Sequence, residues 1–219
     1  TYQNSKFGDG DIWKGQSQST FYINNVNGAP NQYITVKPYN NENVIVKGDA
    51  LAMILVKNSS YIRIEGFETY GETEHIPLDT AFAYQFIYKD ANDNIQYRVP
   101  PLTPSSVITG MTFPVLTNIK RPTFFNTSGI SVITSHHVDI INNYVHHAPG
   151  EGIRSFTSDY LNIIDNEVHD CSRRSSFGVH GLSVYNLTNI DNLNIQKVLI
   201  ARNLVYDNYN EVYSWAQTN

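Results

Sequence analysis

The sequence predicts an all-β chain: a right-handed single-stranded parallel β-helix (a solenoid) with long surface loop insertions. Three observations predict it. First, four stretches align: Ser60-Tyr-Ile-Arg-Ile-Glu-Gly, His136-His-Val-Asp-Ile-Ile-Asn-Asn, Asp159-Tyr-Leu-Asn-Ile-Ile-Asp-Asn and Gln196-Lys-Val-Leu-Ile-Ala-Arg-Asn. Each has the apolar alternation of a half-buried strand, supplied by Ile62/Ile64, Val138/Ile140, Leu161/Ile163 and Val198/Ile200. Second, the alignment continues downstream through Val145, Val168 and Val205, then His146, His169 and Tyr206. Third, Asn143, Asn166 and Asn203 recur at the turns, where side-chain amides bond between stacked rungs and backbone. An antiparallel sandwich is also built from many short strands. The regular recurrence of strand, asparagine turn and corner favours the helix.

Taken in order, Tyr33-Ile-Thr-Val-Lys-Pro, Asn43-Val-Ile-Val-Lys-Gly-Asp and Met53-Ile-Leu-Val-Lys give three short strands. The apolar run from Ala50 to Val56 fits a buried strand and is too short to span a membrane. Between Tyr70 and Asn126 the repeat is interrupted. Ala83-Tyr-Gln-Phe-Ile-Tyr-Lys-Asp and Ile95-Gln-Tyr-Arg-Val read there as a β-hairpin, and prolines 100, 101, 104, 114 and 122 mark irregular loop. A segment of that length serves as a lid, wall or cap. Then Gly129-Ile-Ser-Val, Gly152-Ile-Arg-Ser and Gly181-Leu-Ser-Val form a second strand of each coil. The corners Asn58-Ser-Ser, Thr134-Ser-His and Thr157-Ser-Asp lead into the aligned column strand. His137 to Tyr160 is 23 residues, one coil, whereas Tyr160 to Lys197 is 37. The surplus is six residues in the Cys171–Gly181 turn and eight in the Tyr185–Ile195 corner, both expected to flank the Tyr160/Lys197 pair. Residues 1–219 read as a single domain, with 70–126 as an inserted hairpin and loop region.

Composition narrows the function. A net charge of −5 gives no bulk support for binding nucleic acid or an anionic membrane. One cysteine, Cys171, excludes an intrachain disulfide and reads as an incidental thiol. The chain begins at Thr1 with no visible signal sequence, so it reads as a mature or trimmed form.

In the alignment Tyr61, His137, Tyr160 and Lys197 share one outward column. Rungs lie ~4.8 Å apart, so Tyr160 and Lys197 on consecutive rungs are within reach of one ligand. Solvated ladder residues are the plain alternative, since outward positions must be filled. A long flank on a β-helix suits an extended polymer, and an acidic polymer would explain a central lysine. Asn162 and His137 are the nearest further candidates, with Arg63, Arg154, Arg173 and Arg174 available to hold carboxylates. His136, His137, His146, His147 and His169 follow the coil repeat, so stacking explains them more simply than a metal site. Asp139, Asp165 and Asp191 fall in different columns and form no calcium cage. No metal and no cofactor is expected.

The solenoid, the entry Ile34-Thr-Val-Lys-Pro-Tyr-Asn-Asn-Glu-Asn-Val-Ile-Val-Lys-Gly and the later coils resemble polysaccharide lyases with a parallel β-helix. The size and the Tyr/Lys pair most resemble the secreted alginate lyases of polysaccharide lyase family 31. The resemblance runs from about Tyr33 onward, and the entry motif occurs widely among β-helix lyases. In that family a lysine and a tyrosine carry the elimination, and Lys197 and Tyr160 match those roles. Related family-6 lyases use a lysine and an arginine with calcium. Leu199 in the column beside Lys197 departs from that pattern.

The resemblance implies β-elimination in a uronate chain: loss of the C5 proton, then cleavage of the 4-O-glycosidic bond. Lys197 would be the base and Tyr160 the acid, or Lys197 would stay a cation beside a Tyr160 phenolate. Placement on one side of the sugar suits syn elimination and mannuronate-rich alginate. The expected protein is a secreted monomer acting on an acidic polysaccharide. Lyases of pectate or sulfated uronates, a C5-epimerase and a non-catalytic carbohydrate-binding β-helix are the alternatives.

Overall fold

A computed structural model describes residues 2–3, 19–78, 81, 87–89, 95–97, 123–175 and 177–212. After β1 (Tyr2–Gln3) the chain lays down three strands per unit, five times. The first unit is β2 (Ser19–Asn24), β3 (Ile34–Val36) and β4 (Ile45–Lys47); the second is β5 (Ala52–Lys57), β6 (Ser60–Glu65) and β7 (Glu68–Tyr70). A hairpin follows, β8 (Ile87–Lys89) antiparallel to β9 (Ile95–Tyr97). The third unit is β10 (Ser128–Ile133), β11 (His136–Ile141) and β12 (Tyr144–His146). The fourth is β13 (Ile153–Phe156), β14 (Asp159–Ile164) and β15 (Glu167–His169), and the fifth is β16 (Leu182–Tyr185), β17 (Val198–Ala201) and β18 (Leu204–Tyr206).

Each unit gives one strand to each of three parallel sheets, a β-helix-like arrangement. The first sheet is β2-β5-β10-β13-β16, the second β3-β6-β11-β14-β17, and the third β1-β4-β7-β12-β15-β18. The registers match the aligned columns: Ile130 pairs with Ile153 and Ile153 with Leu182, while Val138 pairs with Leu161 and Leu161 with Val198. Ile54, Ile62, Ile64, Ile130, Val138, Ile140, Val145, Ile153, Leu161, Ile163 and Val168 meet in one core at 0–1% exposure. Truncating one of these isoleucines or Leu161 to alanine removes roughly 2–5 kcal/mol.

Two side-chain ladders explain the corners. Ser59, Ser135 and Ser158 are buried, and each hydroxyl accepts a backbone N–H from the rung before it. The residue ahead of each serine (Asn58, Thr134 or Thr157) is left-handed, with φ of 47–52°. That turn aims the serine across to its neighbour. At the next corner Asn143 accepts from Phe67, Asn166 from Asn143 and Asn203 from Asn166, at 2.9–3.0 Å. The residues preceding these asparagines (Asn142, Asp165 and Arg202) are also left-handed. A β-carbon on Gly152 would run into Val168 Cγ1 and come within 2.5 Å of the Gly181 carbonyl, so rung spacing admits only glycine there.

The anticipated hairpin pairs Ile87 with Tyr97, while its turn and the proline-rich segment lie outside the described residues. Strand β2 was not anticipated. No helix among the described residues is long and apolar enough to cross a membrane.

Candidate functional site

The second sheet carries the expected column. Tyr61 and His137 stack at 4.4 Å, His137 and Tyr160 at 4.2 Å with an 8° interplanar angle, and Lys197 Nζ lies 5.0 Å over the Tyr160 ring. Tyr33 extends the row, edge-on to Tyr61. Tyr61, His137 and Tyr160 all have φ of 50–55°. Left-handed backbone costs a non-glycine residue roughly 1–2 kcal/mol. Repeated on successive rungs, it brings the three rings into one stack. Asp159 fixes the bend at Tyr160 by accepting its N–H at 2.9 Å.

Beside the rings runs a polar row. Arg63 donates through Nε and Nη2 to Asp139 Oδ2 at 3.0 and 2.7 Å, and Asn162 Nδ2 donates to Asp139 Oδ1 at 2.8 Å. Asp139 is thereby buried to 4% exposure, and its hydrogen bond holds the Arg63 guanidinium above its ordinary pKa. The charges of Arg63 and Asp139 are spent on each other.

The corner from residue 186 to 197 closes over the end of the column. The Tyr160 hydroxyl donates to both oxygens of Asp191, at 2.9 and 2.8 Å. Lys197 Nζ lies 2.9 Å from Asp191 Oδ1 and 3.4 Å from Asp159 Oδ2. It also donates to the Asp191 carbonyl at 2.8 Å and to Asn189 Oδ1. Desolvation pulls the lysine pKa down, but hydrogen bonds to Asp191 and Asp159 outweigh it and the group is raised. Tyr160 is raised too, by desolvation and then by its bond to Asp191. Asp191 falls to about 2, chiefly through Lys197. His137 is lowered by desolvation and by neighbouring His136, which leaves it a neutral imidazole near neutral pH. In the free protein Lys197 is therefore a cation and Tyr160 a phenol. Assigning Lys197 as base requires the opposite shift from the one found.

The structure gathers five of the eight candidates on this face: Lys197, Tyr160, His137, Asn162 and Arg63. The other three lie elsewhere. Arg154 is on β13 in the first sheet, donating to Ser131 Oγ at 2.8 Å and paired with Glu151 at 3.4 Å. It lines an open cavity of about 520 Å³ with Phe177, His180, Ser183 and Tyr185. Arg173 and Arg174 follow β15 and pair with Glu211, and Arg173 also pairs with Asp170; they tie the last described segment to the third sheet. The two insertions divide likewise. The 186–197 corner borders Tyr160 and Lys197, whereas the 171–181 turn contributes instead to the cavity near Arg154.

The histidines form two groups. His136 and His137 meet through their Nδ1 atoms on the second sheet. His146, His147 and His169 sit on or beside the third, where His146 and His169 stack at 5.3 Å and Tyr206 continues the stack. Among the described residues no group of three His, Cys, Asp or Glu side chains is placed to hold a metal ion. Sequence reading missed Asp159, Asn189 and Asp191 as partners of Lys197. The usable signal was the insertion bordering the column. No protein-family model, curated protein or solved structure matches this chain.

Proposed function

We propose that the protein is a polysaccharide lyase that cleaves alginate, preferring mannuronate, by β-elimination, with Tyr160 as the proton-transferring residue and Lys197 as the cation beside it. The underlying fold is read as a right-handed single-stranded parallel β-helix, secreted as a monomer that needs no cofactor. One observation carries the reading: a phenol, an ammonium and a neutral imidazole converge at the end of one stacked column. In the reaction the C5–H bond breaks, a C4=C5 double bond forms, and the C4–O4 bond breaks with the proton passing to O4. Charge moving onto the C6 carboxylate must be met by a fixed cation. Lys197, kept protonated by Asp159 and Asp191, suits that role. Tyr160, once its own proton has gone to solvent, is then the phenolate that takes the C5 proton and hands it to O4, and the Lys197 charge favours that phenolate. His137 and Asn162 lie on the same face beside them.

A second reading follows from the four acceptors already gathered around Lys197. In that reading the lysine anchors its own corner, and the face holds carbohydrate without cleaving it. Ultraviolet absorbance of the unsaturated product separates the two. Polymannuronate, polyguluronate and pectate are incubated with the wild type, Tyr160→Phe and Lys197→Leu. A mannuronate signal abolished in both variants is expected. Signal on pectate alone would reassign the substrate. No signal on any polymer, with binding retained, would establish the carbohydrate-binding reading, and proton exchange at C5 without cleavage would indicate an epimerase.

A further inference from the structure

The partners of Asp191 are those a substrate carboxylate would need. Its two oxygens receive the Tyr160 hydroxyl, and one of them also meets the Lys197 ammonium at 2.9 Å and the Leu193 N–H at 3.0 Å. The aspartate belongs to the inserted corner, not to a rung of the sheet. That corner is attached mainly by polar contacts: Thr188 N–H to the Ser158 carbonyl, Ile190 N–H to Asp159, and the Lys197 bonds. Its large apolar residues Leu187, Ile190, Leu193 and Ile195 are 46–59% exposed, so little core burial holds it down. Asp191 itself is partly exposed, whereas Asp159, the other acid on Lys197, is buried at 2%.

We infer that Tyr160 and Lys197 form a subsite for a sugar carboxylate, that Asp191 fills it in the free protein, and that a uronate enters by displacing Asp191. The inference rests on reading this face as uronate-binding. C5 is bonded to the carboxylate carbon, so a carboxylate seated here brings the C5 proton up to Tyr160. Asp159 stays behind and keeps Lys197 charged after Asp191 leaves. Asp191 thus sets specificity: a neutral sugar has nothing to exchange for it.

The test uses the methyl glycoside of mannuronate, which carries the carboxylate but no 4-linked sugar to expel, so binding is read without turnover. Methyl mannoside is its neutral counterpart. Asp191→Asn keeps the side-chain shape and an acceptor for Leu193 while removing the competing charge. Freeing a site from an internal occupant raises apparent affinity by the inverse of its open fraction; for an occupant held by a partly exposed ion pair this is about two- to fivefold. Titration followed by NMR should show that tightening for the mannuronide alone. Leu193→Ala, in the same corner but with an exposed side chain, should leave the Kd as in the wild type. Unchanged affinity in Asp191→Asn, absence of binding to it, or equal tightening for the neutral mannoside would overturn the inference. The lyase reading is scored separately. Tightening without any unsaturated product from polymannuronate keeps the subsite and removes the lyase, and product formation without tightening does the reverse.

Discussion

Asn166 is the side chain on which the stacking of rungs depends most. It is 1% exposed. Its Oδ1 accepts the N–H and the side-chain amide of Asn143, both at 3.0 Å. Its Nδ2 donates to the carbonyls of Ile140 and Ile164 and to Asn203 Oδ1, at 2.9–3.0 Å. Asn166→Ala removes all five bonds without room for a replacement. The Asn143 N–H is then stranded in the interior, which costs about 1–3 kcal/mol, and the remaining bonds each contribute a net ~1 kcal/mol or less because some partners keep other bonds. The sum is about 3–5 kcal/mol, a large share of the roughly 5–15 kcal/mol that holds a domain folded. Asn203 sits at the outer end of the ladder, half-buried, and makes three such bonds. Water can reach what Asn203→Ala exposes, so its loss should be about half as large. Urea titration measures both as a shift in midpoint at unchanged slope. A loss below ~1 kcal/mol for Asn166→Ala, or equal losses for the two variants, would refute the ladder as the source of rung cohesion.

Three further outcomes are expected. His137, His146 and His147 are all lowered, in each case first by desolvation. Their folded pKa values lie below the unfolded value of about 6.5, so the stability tied to their neutral form is complete above that pH and lost as pH falls through the folded values. Melting temperature should drop on acidification, and less steeply in His137→Tyr, which puts the aromatic residue of aligned positions 61 and 160 into the stack. A flat profile would contradict the burial. At the glycines, Gly152→Ala should abolish cooperative folding because its β-carbon meets backbone. Gly66→Asn should melt close to wild type, since φ of +76° suits asparagine, aligned Asn142 holds φ of 55°, and the nearest atom is 3.6 Å away. The reverse ranking would refute the placement of Gly152. Cys171 is fully buried, and desolvation pushes its thiol up to about 12. It should resist a disulfide reagent until the protein is unfolded; rapid labelling of the native state would contradict its place in the core.

What could be read from the sequence followed from stacking, which forces the same residue type into the same place on successive rungs. Asn143, Asn166 and Asn203 were visible because each must bond the next. Strand β2 was not, because its corner breaks the pattern: Asn25 is left-handed like Asn58, but Val26 stands where later corners place serine. Asp191 was beyond any alignment, since it lies in a segment with no counterpart on other rungs. Arg154 falls outside the site because of register. It belongs to the Gly152-Ile-Arg-Ser strand, a different strand of the coil from Tyr160, and so to a different sheet.

The same reasoning isolates one residue that stacking leaves unexplained. Stacking alone accounts for Tyr61, His137 and Tyr160, which share a left-handed φ and place ring on ring. It does not account for Lys197. The lysine ends the column without a ring, is not among the left-handed residues, and carries its charge to Asp159 and Asp191. Aligned with Asp159 are Ser60 and His136, so the buried acid enters the ladder only on the rung that meets the lysine. A repeat kept for stability alone would continue its own pattern. Here two adjacent rungs give it up together, at the one corner where an insertion closes over them, and that coincidence is the strongest physical reason to look for chemistry there.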